Sequence, residues 1–386
     1  MDSRRSNIKT VALVCTALNI LGGLSRHILQ LYRHLDRKKF RIIIVYFSMQ
    51  KELIEAFFLN GGVVSQDLFF VPFSKKKLFL VECLKMAHLL RRERVAIMHT
   101  FLLHSDILGF FAAKLAGVKT FISSVEGQLL WDEVNRVGKF KQWCYRYLNR
   151  FLRQFFDLTI TVSEDLKEEV LRASPSLKNI RVIPVGVACY IPYERLSSLS
   201  LTRHDSSVVI GCLSQLNKDK GVEYLIRAIP FIKGRFSHAR FLIGGTGEAE
   251  FFLKRLAEQL HVEESISFLG WVKDTQSFLL GLDAFVMPSV REGCPMALLE
   301  ALSLGRPVVA FRVPGIKEII QHGENGLLAS PFDVEDLARQ TVDLCQDKAY
   351  AKRMGAHGYE MVKSKYSVES EMKHMETEYL RVLGEV

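Results

Sequence analysis

The chain lacks the cysteine patterns that hold small domains together. Its seven cysteines stand singly, and no two of them have the spacing of a C-x-x-C pair or of a Cys/His zinc-ligand set. Disulfide frameworks and structural zinc sites depend on such spacings, so the sequence argues against both. We interpret the cysteines as reduced thiols and expect a cytoplasmic protein.

Long hydrophobic runs are also missing. No stretch reaches the roughly 18 consecutive apolar residues that a membrane-spanning helix needs. The N-terminal stretch MDSRRSNIKTVALVCTALNILGGLSRH places basic residues before an apolar run, as a signal peptide does. That run stops at Asn19 and Gly22–Gly23 without an A-x-A-like cleavage site. We therefore interpret it as a buried first strand, with a signal peptide as the alternative.

Negative charge is scarce in the first half. Residues 1–186 carry 29 Lys and Arg against 16 Asp and Glu, a net +13, whereas the remainder carries 23 against 26, a net −3. A basic half predicts a phosphate-rich partner: nucleic acid, an anionic membrane surface or a phosphorylated acceptor. No nucleic-acid-binding motif accompanies the charge, so we expect no nucleic acid partner. No Asp-x-Asp pair that could hold a metal–diphosphate complex is visible, so we expect no bound metal.

Buried strand patterns alternate with helical patterns in both halves of the 386 residues, which indicates parallel sheets. The predicted fold class is α/β, with two Rossmann-like, doubly wound lobes whose strand ends face one cleft. The first lobe is predicted to span residues 1–187, and a Ser-rich linker follows at 188–207. The second lobe is predicted at 208–364, and a C-terminal helix at 365–386.

The most informative stretch is REGCPMALLEALSLG, which carries Glu292 and Glu300. A strand pattern precedes it, Pro295 suits a first helical turn and Gly305 suits a helix end. The helix N-terminus then offers unpaired backbone N–H groups to an anion or a hydroxyl. Glu300 is predicted about 8 Å along the axis from Pro295, opposite a stripe of leucines. Taken alone, the two glutamates are more simply interpreted as solvated charges, Glu300 on the helix and Glu292 in the loop.

The stretch PSVREGCPMALLEALSLGRPVVAFRVPGIKEIIQHGENGLL resembles the signature of retaining glycosyltransferases of family 4. Their E-x7-E motif matches Glu292 and Glu300, and their E-G-x-P start matches Glu292, Gly293 and Pro295. The resemblance covers nearly the whole chain. It implies the GT-B fold, a C-terminal helix that crosses back to the first lobe, and a nucleotide-sugar donor, UDP- or GDP-linked, as substrate rather than as cofactor.

The resemblance also implies roles for individual residues. Glu292 lies by the transferred sugar, Glu300 binds the ribose, and Lys220, in LNKDKGVEYLIRA, pairs with the leaving diphosphate, so that Glu292 and Lys220 are the catalytic candidates. Further donor contacts are implied at Gly22, Gly23, Gln215, Gly245, Thr246, Gly247, Val272, Gly293, Cys294, Pro295 and Met296.

The chain departs from the family pattern at three positions. Ser214-Gln215 replaces the usual Gly-Arg, so one phosphate-binding cation is missing. Val185 replaces an Asn, and Glu126 stands where the family often has a histidine. We interpret Glu126 either as an acceptor-facing carboxylate or as a loop charge near helix ends. We place His104, in HTFLLHSD, at a strand end that faces the cleft, with two equal interpretations, an acceptor contact and a hydrogen-bonded structural histidine.

Two basic, aromatic segments could contact a membrane. Lys75–Lys77 precede Leu78, Phe79 and Leu80, and the segment 139–156 alternates aromatic with cationic residues at helical spacing. For the second segment, burial of the aromatic stripe against the sheet is the favoured interpretation.

The predicted function is a retaining glycosyltransferase that moves a sugar from a nucleotide sugar to a hydroxyl of a glycan or lipid-linked glycan, in cell-envelope polysaccharide biosynthesis. We expect it in the cytoplasm, at the inner face of the cell membrane. The alternatives are a sugar-nucleotide epimerase of the same fold and a non-catalytic nucleotide-sugar or glycan-binding protein.

Overall fold

The structure is a computed structural model that describes residues 8–16, 22–47, 51–72, 79–127, 147–148, 150–189, 191, 193–198 and 207–385. The chain forms two compact units. The first comprises Met1–Val185 with Glu371–Val386, and the second comprises Gly186–Ser370.

The first unit is built on one seven-stranded sheet. Its strands are β1 (Lys9–Thr16), β2 (Phe40–Phe47), β3 (Leu68–Phe70), β4 (Val95–Phe101), β5 (Thr120–Val125), β6 (Leu158–Thr161) and β7 (Ile180–Val182). They lie in the order β3-β2-β1-β4-β5-β6-β7, and every pair is parallel. The five inner strands, β1, β2, β4, β5 and β6, are buried almost throughout, as expected for a parallel sheet covered on both faces.

Helices connect these strands. They are α1 (Gly23–His34), α2 (Lys51–Asn60), α3 (Phe79–Arg92), α4 (Leu103–Ala116) and α5 (Glu164–Ala173). Residues 150–153, before β6, are also helical. The helix α1 shows the predicted amphipathic pattern, because Ile28, Leu31 and Tyr32 are buried at helical spacing.

The second unit repeats the plan with six parallel strands. They are β8 (Val209–Leu213), β9 (Arg240–Gly244), β10 (Ile266–Gly270), β11 (Ala284–Met287), β12 (Val308–Phe311) and β13 (Leu327–Ala329), in the order β10-β9-β8-β11-β12-β13. The helices are α6 (Tyr193–Ser198), α7 (Val222–Arg235), α8 (Glu250–Gln259), α9 (Thr275–Leu280), α10 (Met296–Ser303), α11 (Val334–Gln346) and α12 (Lys348–Lys365). The predicted architecture of two Rossmann-like parallel-sheet lobes is confirmed.

The last helix, α13 (Val368–Leu383), returns the chain to the first unit. It begins at Val368 rather than at residue 365, because the backbone of Val187 forms hydrogen bonds with the residues just before and at this helix start. The Val187 N–H donates to the Tyr366 carbonyl at 2.8 Å, and the Val368 N–H donates to the Val187 carbonyl at 3.3 Å. These bonds use backbone groups that a continuous helix would need.

The segment predicted as a linker, 188–207, contributes α6 to the second unit. The Tyr193 hydroxyl donates to the Lys352 carbonyl at 2.9 Å, which fastens α6 to α12. Among the described residues, no helix combines the length and the apolar character needed to cross a bilayer.

Candidate functional site

The strand order of the second sheet reverses between β8 and β11, which are neighbours in the sheet. In open parallel sheets, ligands bind beyond the carboxyl ends of the strands at such a reversal. The loop after β8 carries Gln215 and Lys220, and the loop after β11 carries Glu292. The topology therefore brings the predicted catalytic residues of this unit to the expected binding position.

These two loops are fastened to each other through their backbones. The Val290 N–H donates to the Asp219 carbonyl at 3.0 Å. Gly221 has a φ of +58°, and a Cβ at this position would lie 2.1 Å from the Pro288 carbonyl oxygen. Only glycine fits both the left-handed backbone and this close approach. Gly221 thus allows the loop of Lys220 to lie directly against the loop of Glu292.

Lys220 and Glu292 form an ion pair. The Lys220 Nζ lies 2.8 Å from the Glu292 Oε1, and the two side chains are 25% and 10% exposed. Asn217 caps the turn before Lys220, because its side-chain oxygen accepts from the Lys220 N–H at 3.2 Å. The result is a fixed, half-buried cation beside a carboxylate.

The loop that follows β12 supports the Glu292 backbone from the other side. Gly315 has a φ of +77°, and a Cβ there would lie 2.5 Å from the Glu292 carbonyl oxygen and 2.6 Å from that of Gly293. The carbonyls of Glu292 and Gly293 are therefore held against a position that has room only for glycine.

The helix α10 begins directly after the loop that carries Glu292. Pro295 is its N-cap, with an extended ψ of 104°. The predicted leucine stripe, Leu298, Leu299 and Leu302, is fully buried, which confirms that face. Glu300 lies on the opposite, half-buried face together with Met296 and Ala297. Glu300 is therefore neither solvated nor part of the core.

Cys294 is half-buried in the loop before α10. Tyr366 lies near it, a residue that the sequence did not indicate. Burial raises the pKa of Tyr366 to about 12, and the neighbouring Cys294 and Glu318 contribute to this increase. The Tyr366 hydroxyl therefore remains protonated near neutral pH and can act as a hydrogen-bond donor beside the loop.

The turn Gly245–Thr246–Gly247 after β9 packs against the loop after β8. A Cβ on Gly245 would lie 1.8 Å from the Ser214 carbonyl oxygen, and one on Gly247 would lie 2.3 Å from that of Leu216. The Leu216 N–H donates to the Thr246 carbonyl at 3.0 Å. Thr246 and Gln215 are half-buried at this edge.

Val272 follows β10 at the next position along the same edge, and it packs against the core of the second unit. The predicted donor residues of the second unit thus share one edge of its sheet.

The predicted residues of the first unit lie at the carboxyl edge of its own sheet. Gly22 is the N-cap of α1 and Gly23 its first residue, with Gly22 in an extended conformation (φ −93°, ψ 154°). His104 was interpreted as a strand-end residue, and this is wrong, because it lies in the first turn of α4. The helix begins early since Leu102 turns the chain with a φ of +77°, a strained conformation for a leucine.

Glu126 follows β5 directly and contacts His27, which in turn contacts Glu371, and sequence analysis missed both of these residues. Its Oε1 lies 2.5 Å from Nδ1 of the buried His27, whose Nε2 contacts Oε1 of Glu371 on α13. Burial lowers the pKa of His27, but the charges of Glu126 and Glu371 raise it, and the net result lies well above the ordinary value. No local sequence pattern predicts these contacts, because His27 is 99 positions from Glu126 and 344 positions from Glu371 in the chain.

The imidazole of His99 lies beside this cluster and is neutral. Its Nε2 and Nδ1 each lie 2.7 Å from a hydroxyl, of Ser124 and of Tyr379 respectively. Burial, reinforced by the charge of His27, lowers the pKa of His99 to about 3. Among the described residues, no group of three or more His, Cys, Asp or Glu side chains is arranged to hold a metal ion.

Comparison with known families agrees with these two halves. Residues 21–189 match the model of Glycosyltransferase Family 4, and residues 207–347 match that of Glycosyl transferases group 1. The two matches cover the two units separately and between them include every candidate site residue.

Among relatives, the chain is 28% identical over 363 residues to the Escherichia coli UDP-Gal:alpha-D-GlcNAc-diphosphoundecaprenol alpha-1,3-galactosyltransferase, covering 90% of each chain. It is 25% identical to the capsular polysaccharide biosynthesis glycosyltransferase CapM of Staphylococcus aureus, over 79% of this chain and 82% of that protein. In fold it is similar to Anabaena HepE, solved with UDP and glucose, with a TM-score of 0.79, 17% identity and coverage of 96% and 99%. The chain belongs to the GT-B glycosyltransferases, with a family 4 first lobe and a group 1 second lobe.

Proposed function

We propose that the protein is a retaining glycosyltransferase that moves a hexose from a UDP-linked donor to a hydroxyl of a diphospholipid-linked glycan. The observation that carries this proposal is the Lys220–Glu292 ion pair, held at 2.8 Å where the second sheet reverses its strand order. The choice of UDP and of a lipid-linked acceptor is supported by the relative from Escherichia coli, whose name specifies both. A UDP-linked donor is favoured over a GDP-linked one for the same reason.

The chemistry of the pair suits a glycosyl donor. A leaving diphosphate gains negative charge as the bond to the sugar breaks, and the ammonium of Lys220 is a fixed cation that stabilises this charge. Glu292 is acceptor-only when ionised, so it can receive hydrogen bonds from sugar hydroxyls. In this proposal Glu300, on the half-buried face of α10, accepts hydrogen bonds from the ribose hydroxyls of the donor.

In the proposed reaction, the bond between the sugar C1 and the phosphate oxygen breaks while an acceptor hydroxyl oxygen bonds to C1 from the same face. The proton of that hydroxyl passes to the departing phosphate oxygen, and UDP leaves. No enzyme side chain becomes covalently attached, and no metal ion takes part in the step. The configuration at C1 is consequently kept.

The test is turnover with a panel of donors. Purified protein is incubated with UDP-galactose, UDP-glucose, UDP-N-acetylglucosamine or GDP-mannose and a short-chain α-GlcNAc-diphospho-lipid. The expected result is transfer from one UDP-sugar, with an α-linked product by NMR. Lys220→Met should reduce turnover roughly 10- to 150-fold, the cost of a lost charged hydrogen bond.

The matched control is Lys233→Met. Lys233 also donates a hydrogen bond in the second unit, to the Ser265 hydroxyl at 2.6 Å, but Ser265 lies at the opposite, amino-terminal edge of the sheet. Its loss should leave turnover unchanged. A β-linked product contradicts the retaining mechanism, epimerised nucleotide sugar without acceptor identifies an epimerase, and a UDP-induced thermal shift without turnover identifies a binding protein.

The acceptor proposal includes a membrane contact through the first unit. Two helices and the segment 150–155 expose apolar side chains that form one apolar face: Phe79, Leu80 and Leu84 on α3, Phe111 and Leu115 on α4, and Phe151 and Phe155 in the segment. Each of the seven is between 39% and 58% exposed.

Contacts between aromatic rings connect the parts of the apolar face. The rings of Phe79 and Phe111 lie 5.8 Å apart, and those of Phe151 and Phe155 lie 5.3 Å apart. Phe110 joins the two groups, at 5.7 Å from Phe111 and 6.0 Å from Phe155. Exposed apolar surface of this kind usually marks an interaction site.

Exposed cations on the same helices, Lys85, Lys114 and Arg150, favour an anionic lipid surface as its partner. Lys75–Lys77, which are part of the predicted contact, lie outside the described residues, as do residues 139–146 of the second predicted segment. Burial of the aromatic stripe of that segment, favoured from the sequence, is wrong for Phe151 and Phe155, which are about half exposed, 51% and 49%. Arg153 is buried instead, at 3.5 Å from the Asp106 carboxylate.

Co-sedimentation with vesicles tests this contact. Wild type should bind vesicles that contain phosphatidylglycerol at low salt, and part of the binding should survive high salt because apolar insertion is not screened. A Phe79/Leu80→Ser double variant should lose the salt-resistant part, and a Lys75/Lys76/Lys77→Ser triple variant the salt-sensitive part. Phe251/Phe252→Ser is the matched control, since these residues are 74% and 50% exposed in the second unit. Equal binding by all variants would place the contact elsewhere.

A further inference from the structure

Three charged side chains meet inside the first unit, and none of them has a role in the reaction as derived above. His27 comes from α1, Glu126 from the position after β5, and Glu371 from α13. Both ring nitrogens of His27 face a carboxylate oxygen, of Glu126 at 2.5 Å and of Glu371 on the other side. Two carboxylate partners require two N–H donors, so the ring is an imidazolium.

The surroundings hold this charge in place. Glu371 also accepts a hydrogen bond from the Gln30 side chain at 2.7 Å, so both of its oxygens are bonded. The ring of Phe101 meets the His27 ring edge-on at 6.2 Å. On the far side of Phe101 lies the neutral His99. The imidazolium is therefore the one cation of a cluster that contains two carboxylates, and it is 3% exposed.

The three groups differ in their access to solvent. The side chains of His27 and Glu371 are 3% and 1% exposed, whereas that of Glu126 is 11% exposed. Oε1 of Glu126 is occupied by His27, and Oε2 has no hydrogen-bond partner among the residues that the structure describes. The cluster thus presents one carboxylate oxygen outward, beyond the carboxyl end of β5.

We propose that His27 is a positioning residue, which, anchored by Glu371, fixes the Glu126 carboxylate so that its Oε2 accepts a hydrogen bond from an acceptor sugar hydroxyl. This inference rests on the proposed function, and it deepens it by assigning the acceptor contact and its support. A carboxylate on a loop loses side-chain entropy when it binds, and a preformed ion pair removes most of that cost in advance. Because Glu371 lies on α13, the support of the Glu126 carboxylate includes a helix that follows the whole second unit in the sequence.

The experiment compares His27→Gln and Glu371→Gln with wild type, using UDP-galactose and a short-chain α-GlcNAc-diphospho-lipid as probes. Both substitutions introduce a hydrogen-bonding amide in place of a charged group. The expected result is an acceptor KM raised about 10-fold or more in His27→Gln, with the donor KM within about twofold of wild type. Hydrolysis of the donor by water should also stay unchanged, because it needs no acceptor contact.

The matched control is Glu376→Gln on the same helix. Its carboxylate accepts from Lys39 at 2.8 Å and from the Asp36 N–H at 2.9 Å, away from His27. It should leave both KM values unchanged. A purely structural role of the cluster predicts instead that His27→Gln lowers thermal stability while both KM values stay at wild-type levels.

A pH profile separates positioning from stability. In wild type, the acceptor KM should be flat between about pH 6 and 8, since Glu126 and Glu371 together hold His27 protonated. In Glu371→Gln, one of the two charges that raise the pKa of His27 is gone. His27 then loses its proton at lower pH, and the acceptor KM should rise with pH across the same range. His99, the other titratable group that faces His27, stays neutral throughout.

A double-mutant cycle closes the test. If His27 acts through Glu126, a His27→Gln/Glu126→Gln variant should raise the acceptor KM no further than Glu126→Gln alone. Additive effects, or equal rises in donor and acceptor KM, overturn the inference while leaving transfer itself established. Absence of transfer in wild type with every UDP-sugar of the panel overturns the proposed function, and the acceptor contact with it.

Discussion

Gly315 offers a sharp test of the site in the second unit, because its backbone lies directly against the loop that carries Glu292. Replacement by alanine has two separable costs. The first is conformational: a φ of +77° is left-handed, which costs a residue with a Cβ about 1–2 kcal/mol. The second is steric, since the new Cβ would lie 2.5 Å and 2.6 Å from the carbonyl oxygens of Glu292 and Gly293.

The steric cost can be expressed as a displacement. Carbon–oxygen contacts normally begin near 3.3 Å, so the loop would have to retreat by roughly 0.8 Å. A misplacement of about 1 Å in a reacting site can cost on the order of 100-fold in rate. We therefore expect Gly315→Ala to lower kcat/KM for transfer roughly 10- to 100-fold, together with a loss of stability of at least about 1 kcal/mol.

Gly323→Ala is the matched control. Gly323 has a similar φ of +86°, but the nearest atom to its added Cβ is the Tyr350 hydroxyl at 3.6 Å, an ordinary contact. Gly323→Ala should lose comparable stability, about 1 kcal/mol, in chemical denaturation and keep wild-type turnover. If Gly315→Ala also keeps wild-type turnover at a matched stability loss, Gly315 does not position Glu292 and the reasoning is refuted.

Three further predictions follow from the same residues. Glu300→Ala should weaken UDP binding, measured by calorimetry, by roughly 10- to 150-fold, and unchanged affinity would remove Glu300 from the donor site. Transfer should continue in excess chelator, and complete loss that manganese or magnesium restores would contradict this. The pKa of His99 is about 3 in the folded protein and 6.5 in the unfolded chain. Below pH 6.5 the unfolded chain therefore binds a proton that the folded protein does not, and the free energy of unfolding falls by about 1 kcal/mol per pH unit. His99→Asn should lose less stability than wild type between pH 6 and 5, and equal slopes in urea denaturation would show that His99 is not held neutral.

Local pattern predicted most elements of the fold. Several buried strands, such as β2 and β11, are continuous or nearly continuous apolar runs. The helix α10 was bounded correctly in outline by Pro295 and Gly305, because both residues have strong backbone preferences. The strand order was not predictable from pattern, since it depends on which strands pair over long separations. The break before α13 was also missed, because it depends on backbone hydrogen bonds from Val187, a residue remote in sequence.

The candidate site was predicted unevenly for the same reason. Glu292 and Lys220 could be named from the resemblance, yet their ion pair spans 72 positions, and only the structure places them in contact. Glu126 was named, whereas its partners His27 and Glu371 were not, because a buried histidine on an amphipathic helix looks like any core residue. His104 was misplaced since the strain at Leu102, which starts α4 early, leaves no mark in the sequence.

The return of α13 to the first unit has a consequence for the order in which the protein can fold. The second unit is one uninterrupted segment, Gly186–Ser370, whereas the first unit needs Glu371–Val386 to complete its interior. Tyr379, fully buried against His99 and Phe40, is synthesised only after the whole second unit.

The half of the chain that is synthesised first is therefore finished last. During translation the basic first unit lacks α13 until the second unit has been synthesised, whereas the second unit can already form its own core. Loss of α13 would therefore damage the first unit, although the rest of that unit precedes the second unit in the sequence.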